Sequence, residues 1–246
     1  VDAGVDYILN DIAGNLLFKQ DAIGVSKNML VDALARPSNL IITQPSGEPK
    51  NAVTYIYGDT QLDWSPPPVA PDTHNLYGQL YTRYDQSGLI IQNSYSLRAE
   101  SLGDQKRFVK SYDTFIDWGN DPAAKIVSYL EATTYTSTTQ YDALKHAIKT
   151  VDADDNTIAI SYDQAGIRDT IHFIPNGGDT TAIVTSSCYN AKGQITEANY
   201  GNGLTTQWGY DPQTFEMISV ITAKGDDSTL IAVSYTHLTL PTIREV

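Results

Sequence analysis

A tyrosine, an aspartate or asparagine, two further residues and a glycine recur along this chain. A chain that repeats at short period must build itself by stacking like units. The full signature stands at Tyr84-Asp85-Gln86-Ser87-Gly88, Tyr162-Asp163-Gln164-Ala165-Gly166 and Tyr189-Asn190-Ala191-Lys192-Gly193. Tyr141-Asp142 lacks only the glycine and Tyr210-Asp211 keeps the first half. Degenerate copies hold Asp11 with Gly14, and Asp32 between Val31 and Ala35. Asp11 to Asp32, Asp142 to Asp163 and Asn190 to Asp211 are each 21 residues apart. Asp163 to Asn190 is 27, and "IPNGGDTT" supplies the excess as a looped-out turn.

The unit is a β-hairpin. An Asp or Asn followed three positions later by Gly suits a type I turn: the side chain caps the turn and the glycine closes it. In "QITEANYGNGLTTQWGY" one corner leads to a strand, Gly201–Gly203 form a second corner, and Leu204, Thr206, Trp208 and Tyr210 share one face of the return strand. A lone hairpin is unstable in water, so each must join the next. The predicted fold is all-β: tandem hairpins in a curved, spiralling antiparallel sheet, an open segment of a hollow shell, with roughly ten to twelve strands about 4.8 Å apart. Such a segment would leave unpaired edges and self-associate.

Composition agrees. The 246 residues are 41% hydrophobic and 18% charged, within the globular range. Sixteen tyrosines against five phenylalanines suit pleated surfaces with a wet rim. The formal charge of −13 disfavours a nucleic-acid partner, and no apolar run is long enough to insert into a membrane. The single cysteine, Cys188, forms no internal disulfide and is expected as a small buried apolar side chain.

The rhythm divides the chain into repeat hairpins at residues 1–62, 75–98 and 133–232, a proline-rich loop at 63–74 and an irregular insertion at 99–132. The insertion suggests a short helix near Ala123–Leu130, and its Tyr112-Asp113 is a false copy. Residues 233–246 form a separate tail in which Val233 to Thr242 reads as a translated sequencing-library adapter; His237 and Arg244 carry no functional meaning on that reading. Val1 in place of methionine predicts a missing beginning.

Chemistry is sparse. Asp152, Asp154 and Asn156 have the alternate spacing of a calcium loop, but Thr157 replaces the needed glycine, so no metal is assigned. His74, His146 and His172 are isolated, and no nucleophile or phosphate-loop motif occurs. No catalytic residue or cofactor is assigned; the expectation is a non-enzymatic chain. Trp64, Trp118 and Trp208 could pack in a wall or stack on sugars.

The tyrosine-marked repeat resembles the YD repeat of the RHS family. "YNAKGQITEANYGNGLTTQWGYDPQTFEMI", "NLYGQLYTRYDQSGLI", "IDWGNDPA" and "TTQYDALKHAIKTVD" resemble, in order, stretches of the RHS shell in the B component of bacterial insecticidal toxin complexes. "YSLRAESLG" departs from the pattern and leaves the register there open. The resemblance implies a secreted shell segment surrounding a toxic C-terminal polypeptide. Its partners would be the rest of the shell, the enclosed cargo and another toxin-complex subunit. The family's self-cleaving aspartyl protease core has no counterpart residues here. The alternative is a YD-repeat adhesion or carbohydrate-binding module of the cell surface.

Overall fold

The computed structural model describes residues 4–60, 72–225 and 228–234. Most of the proline-rich loop, Trp64 and the tail from residue 235, with His237 and Arg244, lie outside the described residues. The protein is nearly all-β. Its strands are β1 (Tyr7–Asn10), β2 (Leu16–Gln20), β3 (Ser26–Val31), β4 (Pro37–Thr43), β5 (Lys50–Tyr57), β6 (Leu80–Asp85), β7 (Gly88–Tyr95), β8 (Ser101–Phe108), β9 (Tyr135–Tyr141), β10 (Ala147–Val151), β11 (Thr157–Tyr162), β12 (Arg168–Ile174), β13 (Thr181–Tyr189), β14 (Ile195–Tyr200), β15 (Leu204–Tyr210), β16 (Met217–Lys224) and β17 (Ser228–Ser234). A 3-10 turn at Ala123–Lys125 leads into one helical turn, α1 (Ile126–Tyr129). The seventeen strands among the described residues exceed the ten to twelve expected. Each 21-residue period carries two strands, and tyrosine marks only one of its two corners.

The chain forms two compact units, Val1–Thr138 and Thr139–Val246, divided inside β9. In the first, each strand from β1 to β9 pairs antiparallel with the next. In the second, β10 through β17 do the same.

The first unit owns the principal core. Ile56, Tyr84, Leu89, Ile116, Trp118 and Leu130 form one buried cluster. Three of these come from the sheet and three from the stretch after β8, which folds back across β5–β7. A single bridge, Val109 to Leu130, and the Glu131 N–H donating to Phe108 O close that return. Trp118 is 0% exposed and its ring centroid lies 5.2 Å from that of Tyr84. The span expected as an irregular insertion with a short helix begins with a full strand, β8, carries its helical turn at residues 123–129 and continues as the lid of a core. Tyr112 stands 97% exposed on it.

Among the described residues of the second unit, only Ala198 and Thr206 are buried. In β13 half-buried and exposed residues largely alternate, so one face is partly covered and the other lies open. Cys188 is exposed, which corrects the expectation of a buried thiol. It sits opposite Glu197 beside Ser186 on a polar strip of β13 and β14, where no described segment covers it.

Candidate functional site

The repeated corners are the one constellation that recurs with constant geometry. At Asp163 the N–H groups of Ala165 and Ile167 donate to its Oδ1 at 2.9 and 2.8 Å. Its own N–H donates to Ile167 O, and the Gly166 N–H donates to Asp163 O at 3.0 Å with Gly166 at φ +75°. This is a type I turn closed by a left-handed residue and a bulge. Asp11 with Gly14, Asp32, Asp142 and Asn190 with Gly193 repeat it. Asp211 builds a version one residue longer, with Phe215 in the left-handed place. The bulge recurs too: the register slips beside Asn10, Val31, Tyr162, Tyr189 and Tyr210.

Three further corners lie outside the copies marked in the sequence. Asp21 forms one with Gly24. Ser96 forms another: its Oγ accepts the Arg98 and Glu100 N–H groups, and Ala99 takes the glycine place at φ +67°. This settles the register that "YSLRAESLG" left open. Asp152 forms the third. Its Oδ1 accepts from the N–H groups of Asp154 and Asn156, so the apparent calcium ligand is a turn cap. No metal-holding cluster of His, Cys, Asp and Glu occurs among the described residues.

At Tyr84-Asp85 the cap is present, Asp85 Oδ1 accepting the Ser87 and Gly88 N–H groups at 2.8 and 3.2 Å, but the corner is of another kind. Asp85 pairs directly with Gly88 without a register slip, a two-residue corner through Gln86 and Ser87. It closes an even-numbered strand, so in a sequential antiparallel unit it lies at the end opposite Asp11 and Asp32. Tyr84 is a core residue, and burial pushes its phenol up to about 12.

Tyrosine closes every odd-numbered strand from β5 to β15. The hydroxyl explains why. Tyr57, Tyr95, Tyr162 and Tyr189 donate to Pro37 O, Leu80 O, Ala147 O and Arg168 O at 3.1, 2.7, 3.1 and 2.8 Å. Each acceptor is the first residue of the preceding even strand. At these four corners a phenol ties the corner to the one before it; phenylalanine would fill the space and leave that carbonyl without the bond. Tyr141 and Tyr210 occupy the same place on β9 and β15, and no such bond is recorded for them.

At six corners the side chain four residues after the head bonds back to it. Asn15 and Asn156 donate side-chain amides to Asp11 and Asp152. Gln194 Oε1 accepts from Asn190 Nδ2, and Glu100 pairs with Ser96 Oγ. Arg36 donates to Asp32 and Asp59 and lies 4.0 Å above the Tyr57 ring. His146 holds Asp142 at 2.8 Å and stacks on Tyr162, ring centroids 4.4 Å apart. One side chain therefore satisfies its own corner and seats the next tyrosine.

These contacts hold the carboxyls of Asp11, Asp32, Asp142 and Asp152 below their ordinary range. At Asp11 and Asp152 the leading cause is the amide of Asn15 or Asn156. At Asp32 and Asp142 burial pushes up but is outweighed by hydrogen bonds from Arg36 and His146. A depressed folded-state pKa stabilises above the unfolded value, near 3.9, and the gain vanishes as pH falls through the folded one. Amide protection of Asp154 and Asn156 is accordingly expected to fall as pH drops below about 4, after correction for intrinsic exchange. Lys192 and Gln194, held by uncharged Asn190, should keep theirs. Equal losses at both corners would show that the carboxyl is not the cause.

Trp118 is sealed in the core, which removes it as a sugar platform; its indole N–H donates to Asp85 O at 3.1 Å. Trp208 is half-buried on β15. Among the described residues no helix is long and apolar enough to cross a membrane.

No family model matches the chain. Two curated relatives from Yersinia entomophaga do: toxin subunit YenC2, 29% identical over 236 residues, and toxin subunit YenC1, 25% identical over 225. Each match covers 91% of this chain, which spans only about a quarter of the relatives' length, 24% and 22%. Among solved structures, TcdB2-TccC3 superimposes with a TM-score of 0.84 at 25% identity, covering 96% of this chain and 11% of that one. The Photorhabdus luminescens Tc holotoxin pore gives 0.85, with the same identity and coverage. The RHS resemblance read from the repeat is borne out by toxin-complex subunits.

Proposed function

We propose that this RHS-like, toxin-complex-type segment is a stretch of shell wall that surrounds a polypeptide cargo and does no chemistry itself. The observation that carries the reading is the recurrence of the same capped corner along the sheet, four of them tied to the preceding corner by a tyrosine, in a fold shared with toxin-complex subunits over 96% of the chain. Hairpins joined sideways at constant register make a wall, and the corner side chains are consumed in holding one hairpin to the next. The partners are the remainder of its own shell, an enclosed toxic polypeptide and a second toxin-complex subunit. The place of action is extracellular, as for a secreted toxin component. Curvature of such a sheet would follow from strand twist and the repeated bulge.

Limited proteolysis of the complete gene product tests this. A region C-terminal to this segment should survive as a protected fragment in the native protein and be digested once the wall is unfolded with denaturant. Equal digestion in both states would overturn enclosure. Saturable binding on a glycan array, lost on Trp208→Ala, would favour the adhesion reading instead.

A further inference from the structure

We infer that Asn176 is a site of spontaneous, water-consuming deamidation. The chain holds two Asn-Gly pairs, Asn176-Gly177 and Asn202-Gly203. An Asn-Gly pair reacts when the glycine nitrogen, unhindered by a side chain, adds to the Asn Cγ. A five-membered imide forms, and the side-chain nitrogen leaves as ammonia with the proton lost from the backbone nitrogen. Water then opens the imide at either carbonyl, giving aspartate or isoaspartate. No oxidant or other co-reactant is needed. The reaction demands a glycine N–H free to lose its proton and an Asn side chain free to swing toward it.

The two turns differ on both requirements. At Asn202 the Gly203 N–H closes the turn, donating to Tyr200 O at 3.0 Å, and Asn202 Oδ1 accepts the Leu204 N–H at 3.1 Å. Nucleophile and electrophile are both engaged. At Asn176 the closing donor is one residue later: the Gly178 N–H donates to Pro175 O at 3.1 Å. Gly177, at φ +68°, therefore occupies the third position of a type II turn, and its N–H finds no acceptor among the described residues. No hydrogen bond to the Asn176 side chain is recorded, and both residues are exposed. A Cβ at Gly177 would meet nothing within 4 Å, so space around the reacting bond is open.

The product would matter locally. The Asn176 N–H donates to Asn156 Oδ1 at 3.1 Å, joining this turn to the Asp152 corner. Isoaspartate would lengthen the backbone there by one carbon and add a carboxylate near Asp154 and Asp155. The seam between β10–β11 and β12–β13 should loosen at its turn end.

The test is incubation of the folded protein in mildly alkaline buffer at body temperature, with peptide mapping by mass and labelling by an isoaspartyl methyltransferase. Modification is expected roughly five- to tenfold faster at Asn176 than at Asn202, the factor set by freeing one hydrogen-bonded donor. In denaturant the two rates should converge. Equal rates in the folded protein, or faster reaction at Asn202, would overturn the assignment. A difference that persists in denaturant would overturn it too, because the fold would then not be its cause.

Discussion

Trp118→Ala is expected to destabilise the first unit by about 3–5 kcal/mol, the usual cost of emptying a fully buried indole site. The residue ties the fold-back stretch to two strands at once. Its ring packs on Tyr84 of β6, its indole N–H donates to Asp85 O, and its backbone N–H donates to Asn51 O at 2.9 Å on β5. Around it the Asn51 N–H donates to Asp117 Oδ1, and Gln86 bridges Ala52 O, Ile116 O and the Ile116 N–H. Removing the indole leaves a cavity beneath these bonds, and the fold-back stretch then has little apolar surface left to hold it. Denaturant unfolding gives the magnitude, and hydrogen exchange gives the place: protection should be lost across β5–β7 and retained across β13–β15. Trp118→Phe keeps most of the ring and loses the donor, so about 1–2 kcal/mol is expected. A Trp118→Ala loss below about 1 kcal/mol would mean that the cluster is not the first unit's anchor.

The repeat was legible in the sequence because turn chemistry is local. Asp, Asn and Gly at fixed offsets specify a corner without knowledge of anything distant. The corners that escaped notice did so by substitution within the same physics. Ser96 Oγ accepts the same two N–H groups as a carboxylate, and Ala35, Ala99 and Lys145 tolerate the left-handed place that glycine favours. A search for any small acceptor followed four residues later by a side chain able to bond back to it would have found Ser96 and Asp152, whereas Asp21, with Val25 at that place, is marked only by Gly24.

Tyr84-Asp85 misled for the converse reason. The letters match, but Gly88 bonds across a two-residue turn and the tyrosine points into the core. Only the parity of strands along the chain reveals which end of the sheet a corner occupies. The fold-back of Ile116, Trp118 and Leu130 onto Ile56 and Leu89 was not readable at all. Those contacts join residues tens of positions apart through a segment without periodicity, and no local rule encodes them. Cys188 went astray similarly: its burial depended on whether anything covers the β13–β14 strip.

Gly88→Ala should be about as damaging as losing Trp118, by the opposite mechanism of adding one carbon. A Cβ at Gly88 would lie 2.0 Å from Arg107 O, and its φ of +141° is one that L side chains rarely adopt. The strand bearing Arg107 cannot simply withdraw. The Arg107 guanidinium donates twice to Glu131 O, and Phe108 O accepts the Glu131 N–H, so moving β8 pulls on the fold-back stretch over the core. Backbone strain and overpacking together give roughly 2–6 kcal/mol. Gly14→Ala is the matched control in the same unit. Gly14 also has positive φ, +86°, but nothing lies within 4 Å, and Ala35 and Ala99 already occupy the equivalent place in other corners. There the cost should stay near 1–2 kcal/mol, the left-handed penalty alone. If the two alanines proved equally mild in denaturant midpoint, the close approach of β7 to β8 would not be a constraint on the fold. If they proved equally severe, the corner rule that lets alanine stand for glycine would fail.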